Sequence, residues 1–96
     1  MILQIVKLKS SMKEDELLRI AHERKAQIEA IPGLLQKFYV KGNDEGEYRG
    51  VYVWDSKESL MTFRDSELAK TIPAAYKTIE APSIEVLDIL FLLRDL

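Results

Sequence analysis

The feature that most constrains this chain is a short hydrophobic run at residues 50–54, with the sequence GVYVW, followed at once by Asp55 and Ser56. Its β-branched and aromatic side chains fit the largely buried surface of a sheet. Asp55 or Ser56 can accept from the free amides of a helix, and Asp55 with Glu58 has the spacing of a capping box. The pattern predicts a strand that passes almost directly into a helix, with Trp54 at the junction.

Four segments have the pattern of strands. Residues 2–9, 34–41, 47–55 and 83–93 are rich in hydrophobic side chains, and the last of them is apolar at both parities. The polar, glycine-rich residues 42–46 predict a hairpin, so the second and third strands should pair antiparallel. A last strand with apolar side chains at both parities should be buried on both faces.

Helical regions separate these strands. A capping box at residues 11–14 predicts a helix that reaches about residue 31, where Pro-Gly ends it. A second helix follows Ser56, and Ser66 predicts a further helix start, with a break near Pro73. The order β-α-β-β-α-β predicts a ferredoxin-like α+β fold with a four-stranded antiparallel sheet. We expect residues 1–96 to form this single domain.

The predicted sheet has more apolar surface than its helices can cover. The first and last strands carry large aliphatic side chains at both parities, whereas the helices cover one face. At about 25 cal/mol per Å², exposing the other set would be costly. We therefore expect a homodimer, in which a second copy packs sheet against sheet and closes a dimeric α+β barrel.

Composition excludes several classes of function. With 14 basic and 16 acidic residues, the chain has a net charge of −2 and no electrostatic attraction to nucleic acid or to an acidic membrane. It contains no Cys, which excludes disulfides, thiolate catalysis and Cys-ligated metals. It has no signal-peptide pattern and no apolar run of the roughly 20 residues that a membrane span needs. We expect a cytoplasmic protein without nucleic-acid or membrane partners.

The candidate pocket residues are aromatic. Trp54 can stack on a flat ligand or fill the core beneath the second helix. Tyr39, Tyr52 and Tyr76 can donate phenol hydrogen bonds to a carbonyl or enolate in the same cavity, or can be ordinary half-buried aromatics. Tyr52 shares its parity with Trp54, so the two should be neighbours on one face. Phe63 fits the core better than a pocket wall.

Two residues are candidates for acid–base chemistry. His22 is the obvious base near neutral pH, but its position on the helical wheel lies away from the apolar stripe and predicts a surface residue. Asp88 interrupts an apolar strand, so it either pairs with a lysine such as Lys7 or acts as a base with a raised pKa. One imidazole without companions makes no metal site.

The segment VYVWDSKESLMTFRDS, residues 51–66, resembles the antibiotic-biosynthesis-monooxygenase-like family of dimeric α+β barrels, in particular its short mono-oxygenase branch. The order of elements and the Pro-Gly after the first helix agree with this family. The resemblance implies a pocket between helices and sheet, lined by the Trp that Trp54 matches. Haem degradation, found in one branch, is disfavoured because the chain has no His after position 22 and no Asn before position 43.

The resemblance implies a cofactor-independent mono-oxygenase acting on a small hydrophobic or phenolic compound, in which the electron-rich substrate itself reduces O2. Two alternatives stay open. One is a non-catalytic, stress-associated dimer that binds a small ligand in the same pocket. The other is an isomerase of the same fold, which would need Asp88 or His22 to act with a tyrosine as an acid–base pair.

Overall fold

The computed structural model describes residues 1–96 and contains four strands and four helices: β1 Ile2–Lys9, α1 Glu14–Glu29, β2 Leu34–Lys41, β3 Glu47–Trp54, α2 Lys57–Arg64, α3 Glu67–Lys70, α4 Ile72–Ala75 and β4 Ser83–Asp88. All neighbouring strands pair antiparallel in one sheet of order β2-β3-β1-β4. This confirms the predicted β-α-β-β-α-β order and the ferredoxin-like fold. None of the helices has the length and apolarity that crossing a membrane requires.

The last strand is shorter than predicted. It ends at Asp88, which lies opposite Ile2, the first residue of β1, so β1 offers no further residue for pairing. The amide of Ile89 donates to the carbonyl of Met1 at 3.0 Å, and the ladder then stops. Every residue of β4 is exposed in the single chain, so burial of both its faces would require another chain.

The start of α1 differs from the predicted capping box. Lys13 is the N-cap residue and its side chain makes no cap hydrogen bond. Just before the helix, the hydroxyl of Ser10 makes two hydrogen bonds: it accepts from the amide of Met12 at 3.0 Å and donates to the carbonyl of Tyr76. A tertiary contact with the end of α4 therefore replaces the local cap at Ser11.

The sequence left Asp55 or Ser56 as the cap of the helix after β3, and the structure shows which of them acts. Ser56 caps α2, because its hydroxyl oxygen accepts from the amide of Ser59 at 3.2 Å. The Asp55 carboxylate accepts from the Ser59 hydroxyl at 2.6 Å and does not cap the backbone. Ser66 caps α3 as predicted, and the helical region breaks at Thr71, two residues before Pro73.

The helices cover the sheet face that carries the even-numbered residues of β1. On that face Ile2 lies opposite Trp54, and Leu8 lies opposite Tyr48. Two core clusters form there: Ile2, Tyr52, Trp54, Leu60 and Phe63 at one end, and Leu8, Met12, Leu17, Tyr48 and Tyr76 at the other. Val6 contacts both clusters. The opposite face stays uncovered, and Phe38, Val40 and Leu87 on it are 41–46% exposed.

Candidate ligand-binding site

An apolar cavity of about 160 Å³ lies between the sheet and the helices. Its walls come from β1, β2, β3, α1 and the end of α4, with mainly aliphatic and aromatic side chains: Val6, Leu8, Leu17, Tyr39, Tyr52 and Tyr76. Dry apolar cavities of roughly 150 Å³ bind benzene. The cavity is therefore suited to a ligand of about one aromatic ring.

Gly50 makes room for this cavity. It lies on β3 opposite Val6 of β1 and Tyr39 of β2, in the middle of the helix-covered face. A Cβ atom at Gly50 would lie 3.1 Å from Cε1 of Tyr52 and 3.3 Å from Cε of Lys37, closer than most real contacts. A larger residue here would take up space at the cavity wall and would press on both side chains.

Three of the predicted pocket residues converge on the cavity: Tyr39, Tyr52 and Tyr76. Tyr52 and Tyr76 are buried, whereas Tyr39 is 41% exposed. Burial raises the pKa of all three phenols above the ordinary value, and the positive charge of Arg24 offsets only part of that rise. All three are therefore protonated at neutral pH and able to donate hydrogen bonds.

Lys37 is a wall residue that the sequence did not single out. It pairs with Tyr52 across the β2–β3 ladder, and its Nζ lies 4.3 Å from the centroid of the Tyr39 ring and 4.5 Å from that of Tyr52. Burial, and to a smaller extent the charge of Arg24, lower the pKa of the Lys37 ammonium to about 8. The ammonium rests on two aromatic faces, an arrangement stabilised by cation–π attraction.

Arg24 brings a second positive charge to this region. Its guanidinium carbon lies 5.9 Å from the centroid of the Tyr76 ring, and its Nη2 donates to the Thr71 hydroxyl at 2.8 Å. The Nε atom is buried and has no hydrogen-bond partner. The side chain thus keeps one unused donor inside the structure.

No protein-family model matches the chain, and no curated protein matches it. Solved structures do match. A candidate antibiotic biosynthesis monooxygenase from Caulobacter crescentus aligns with a TM-score of 0.68 at 25% identity, over 94% of this chain and 90% of its own. A protein of the same description from Bordetella bronchiseptica aligns with a TM-score of 0.78 at 14% identity, over 94% of this chain and 97% of its own. SnoaB, a cofactor-independent oxygenase from Streptomyces nogalater, aligns with a TM-score of 0.75 at 9% identity, over 98% of this chain and 97% of its own.

The fold is that of the antibiotic biosynthesis monooxygenases. This confirms the resemblance predicted from residues 51–66.

Within this monooxygenase-like fold, Trp54 lies behind the cavity wall. It is fully buried, and its indole N–H donates to Oε1 of Gln4 at 2.9 Å. Its ring stacks on Tyr52, with centroids 5.9 Å apart and planes at 5°, and contacts Phe63 at 5.4 Å. Tyr52 therefore separates Trp54 from the cavity, and Trp54 and Phe63 both occupy the core cluster.

The two acid–base candidates lie outside the cavity. His22 is exposed on α1, as its wheel position predicts. Asp88 is exposed at the end of β4, and the expected pair with Lys7 is wrong because Lys7 lies opposite Ser83, at the other end of the strand. Lys7 instead forms an ion pair with Glu47 at 3.6 Å.

Proposed function

We propose that this protein is a cofactor-independent mono-oxygenase of a small hydrophobic or phenolic compound that binds in the cavity between sheet and helices. The observation that supports it most is the convergence of Tyr39, Tyr52 and Tyr76 on an apolar cavity. The similarity of the fold to SnoaB, itself a cofactor-independent oxygenase, points to the same reaction class. Neither a cofactor nor a metal takes part in the proposed reaction.

The proposed chemistry needs only the substrate and O2. A phenol and O2 give a quinone and water: one oxygen atom enters the ring and the other leaves as water. The phenol loses the four electrons that O2 gains, so no external reductant is consumed. The phenol groups of the cavity would donate hydrogen bonds to the negatively charged oxygens formed on the way, a form of electrostatic stabilisation.

We further propose that the chain, as one domain over residues 1–96, acts as a homodimer in the cytoplasm. The uncovered sheet face supports the dimer, since it carries Phe38, Val40 and Leu87. The C-terminal segment adds Leu90, Phe91 and Leu93, which are 76–93% exposed. Apolar surface of this extent is typical of an interface, and a second copy would bury it by symmetry.

Oxygen uptake tests the proposed reaction. The purified protein is mixed with one-ring hydroquinones and aminophenols in the presence of a metal chelator, and O2 consumption is followed with an electrode. We expect catalysed uptake that needs no nicotinamide, flavin or metal, with one atom of labelled O2 appearing in the product. Compounds that bind in the cavity but show no uptake above the uncatalysed rate would contradict the mono-oxygenase proposal.

That negative outcome would favour the second candidate function, a stress-associated or other small-ligand-binding dimer. One observation favours this candidate over an isomerase. The imidazole of His22 and the carboxylate of Asp88 both lie outside the cavity, so the acid–base pair that an isomerase needs is not assembled there. A binding protein would show ligand-dependent stabilisation without turnover.

A further inference from the structure

The ammonium group of Lys37 has no anionic partner. It forms none of the ion pairs of the chain, and its neighbours are the rings of Tyr39 and Tyr52. A buried charge is unfavourable unless it is paired and hydrogen-bonded. The two rings offset part of this penalty but accept no conventional hydrogen bond from it. The arrangement leaves a cation at the cavity wall that an anion could complete.

The other charged residues of the cavity wall already have ion-pair partners. Glu14 and Lys41, both in the wall, form an ion pair at 3.0 Å. Arg49 pairs with Glu47 at 2.9 Å. Lys37 is thus the charged wall residue without an ion-pair partner.

Three further charged residues lie near Lys37, and none of them supplies a free carboxylate. Lys25 and Glu29, at the end of α1 beside it, pair with each other at 3.6 Å. Arg24 adds a positive charge and the unused Nε donor. The three phenols that face the cavity are neutral at physiological pH. The region therefore has a net positive potential and no free carboxylate to balance it.

We propose that the cavity binds an aromatic molecule of about one ring that carries one anionic oxygen, a phenolate or a carboxylate, and that Lys37 donates a hydrogen bond to that oxygen. The inference rests on the cavity being the ligand site of the proposed function and names the class of ligand. The ring would occupy the apolar space beside Gly50, and its oxygen would point towards β2.

The proposed reaction needs an ionised phenol, and an anion-binding lysine can supply one by binding the phenolate. The cavity contains no imidazole or free carboxylate that could deprotonate a phenol. A site that selects the ionised phenol from solution needs no such base. The lowered pKa of Lys37 agrees with this role, because an amine with a pKa of about 8 is still largely protonated at neutral pH. Binding of an anion would hold the proton on Lys37 more tightly.

The test uses two anionic probes and their neutral counterparts. Benzoate is compared with benzamide, and 4-nitrophenolate with 4-nitroanisole, by titration calorimetry at neutral pH. The nitro group makes the phenol hard to oxidise, so the probe reports binding alone. The proteins are the wild type, Lys37→Met and the control Lys70→Met. The control removes the same charge from an exposed lysine of α3 that pairs with Glu67 and lies outside the cavity wall.

We expect at least one anionic probe to bind the wild type more tightly than its neutral counterpart. Lys37→Met should weaken that anion by about 10- to 100-fold, the range for a hydrogen bond to a charged group, and leave the neutral probes unchanged. Lys70→Met should change the binding of any probe by less than about threefold, as for a surface pair. The preference between benzoate and 4-nitrophenolate tells which anionic oxygen the site takes.

A spectroscopic measurement separates recognition from a structural role. In a solution acidic enough to protonate free 4-nitrophenol, wild-type protein should restore the visible absorption of the phenolate, and Lys37→Met should not.

Each contrary result has its own meaning. Equal affinity for charged and neutral probes, or equal losses in the two lysine variants, would overturn the anion assignment and leave the cavity as a binding site. Binding of none of the four probes would overturn the ligand site and the proposed function together.

Discussion

Lys37 and Tyr52 face each other across the β2–β3 ladder, and the lysine Nζ lies 4.5 Å from the centre of the tyrosine ring. The same ring stacks on Trp54. One aromatic side chain thus separates the charged wall of the cavity from the hydrophobic core. A change at Lys37 should alter ligand binding, whereas a change at Trp54 should lower stability and leave binding unchanged.

Lys37→Met should stabilise the protein at neutral pH. The lysine pKa falls from 10.5 to about 8 on folding. At 1.36 kcal/mol per unit this is an unfavourable contribution of roughly 3 kcal/mol, and losing the cation–π contacts removes part of the gain. We expect the free energy of unfolding, measured with urea, to rise by about 1–3 kcal/mol. Replacing a functional residue whose burial is unfavourable often raises the stability of a protein.

The gain from Lys37→Met should depend on pH in one direction. Because the folded pKa is lower than the unfolded one, the penalty is fully present below about pH 8 and is relieved as pH rises from about 8 to 10.5. The difference in unfolding free energy between variant and wild type should therefore shrink over this interval. Comparing the two proteins at each pH cancels most of the contribution of Tyr39 and Tyr76, whose pKa values also change on folding. A gain that grows with pH would contradict the assignment.

Trp54→Phe should lower stability and spare ligand binding. The change leaves unfilled space in the core and deprives Oε1 of Gln4 of its buried donor. Together these should reduce the free energy of unfolding by about 2–4 kcal/mol, measured by circular dichroism because the only Trp is lost. Affinity for a cavity probe such as benzamide should change by less than about threefold. A large loss of affinity in a folded variant would show instead that Trp54 contacts the ligand.

Gly50→Ala should weaken the binding of every probe, charged or neutral. The added methyl group would take up space at the cavity wall and would press on Tyr52 and Lys37. Overpacking of this kind corresponds to about 1–3 kcal/mol, so we expect roughly a tenfold or larger loss of affinity in calorimetry. Circular dichroism checks that the variant is folded. Unchanged affinity for benzamide would indicate that the ligand lies elsewhere.

Phe38→Glu should convert the proposed dimer into a monomer. Phe38 is 46% exposed on the uncovered sheet face, and a carboxylate there would be buried without a partner in a sheet-to-sheet dimer. Sedimentation velocity measures the change in mass. Met61→Glu is the matched control, because Met61 is 38% exposed on α2, on the helix side of the molecule. If the Phe38→Glu variant stays dimeric, the dimer interface lies on another surface of the molecule.

Local patterns in the sequence predicted much of the fold. The bounds of β1 and β2, and the helix start at Ser66, follow from hydrophobic alternation and from capping, which depend on neighbouring residues. The shared parity of Tyr52 and Trp54 likewise predicted their contact. The end of β4 could not be predicted in this way, because it depends on where β1, a strand distant in sequence, begins.

The unbalanced charge of Lys37 was also beyond local patterns. The register between β2 and β3 shifts between Leu34 and Gln36, so Leu34 lies opposite Trp54 and Lys37 opposite Tyr52, both on the helix-covered face. Simple alternation would place Leu34 and Lys37 on opposite faces. Whether Lys37 forms an ion pair depends on the side chains that β1, β3, α1 and the end of α4 place around it. Alternation did group Lys37 with Tyr39, which was the available signal.

Because β2 is an edge strand, Lys37 lies in a part of the sheet with a neighbour on one side only. Its replacement changes no residue of the central strands and leaves both core clusters intact. A single substitution at position 37 can therefore change which ligand charge the cavity prefers without changing the fold. Proteins with this fold could acquire acidic, neutral or basic ligands in evolution, or by design, without rebuilding the core.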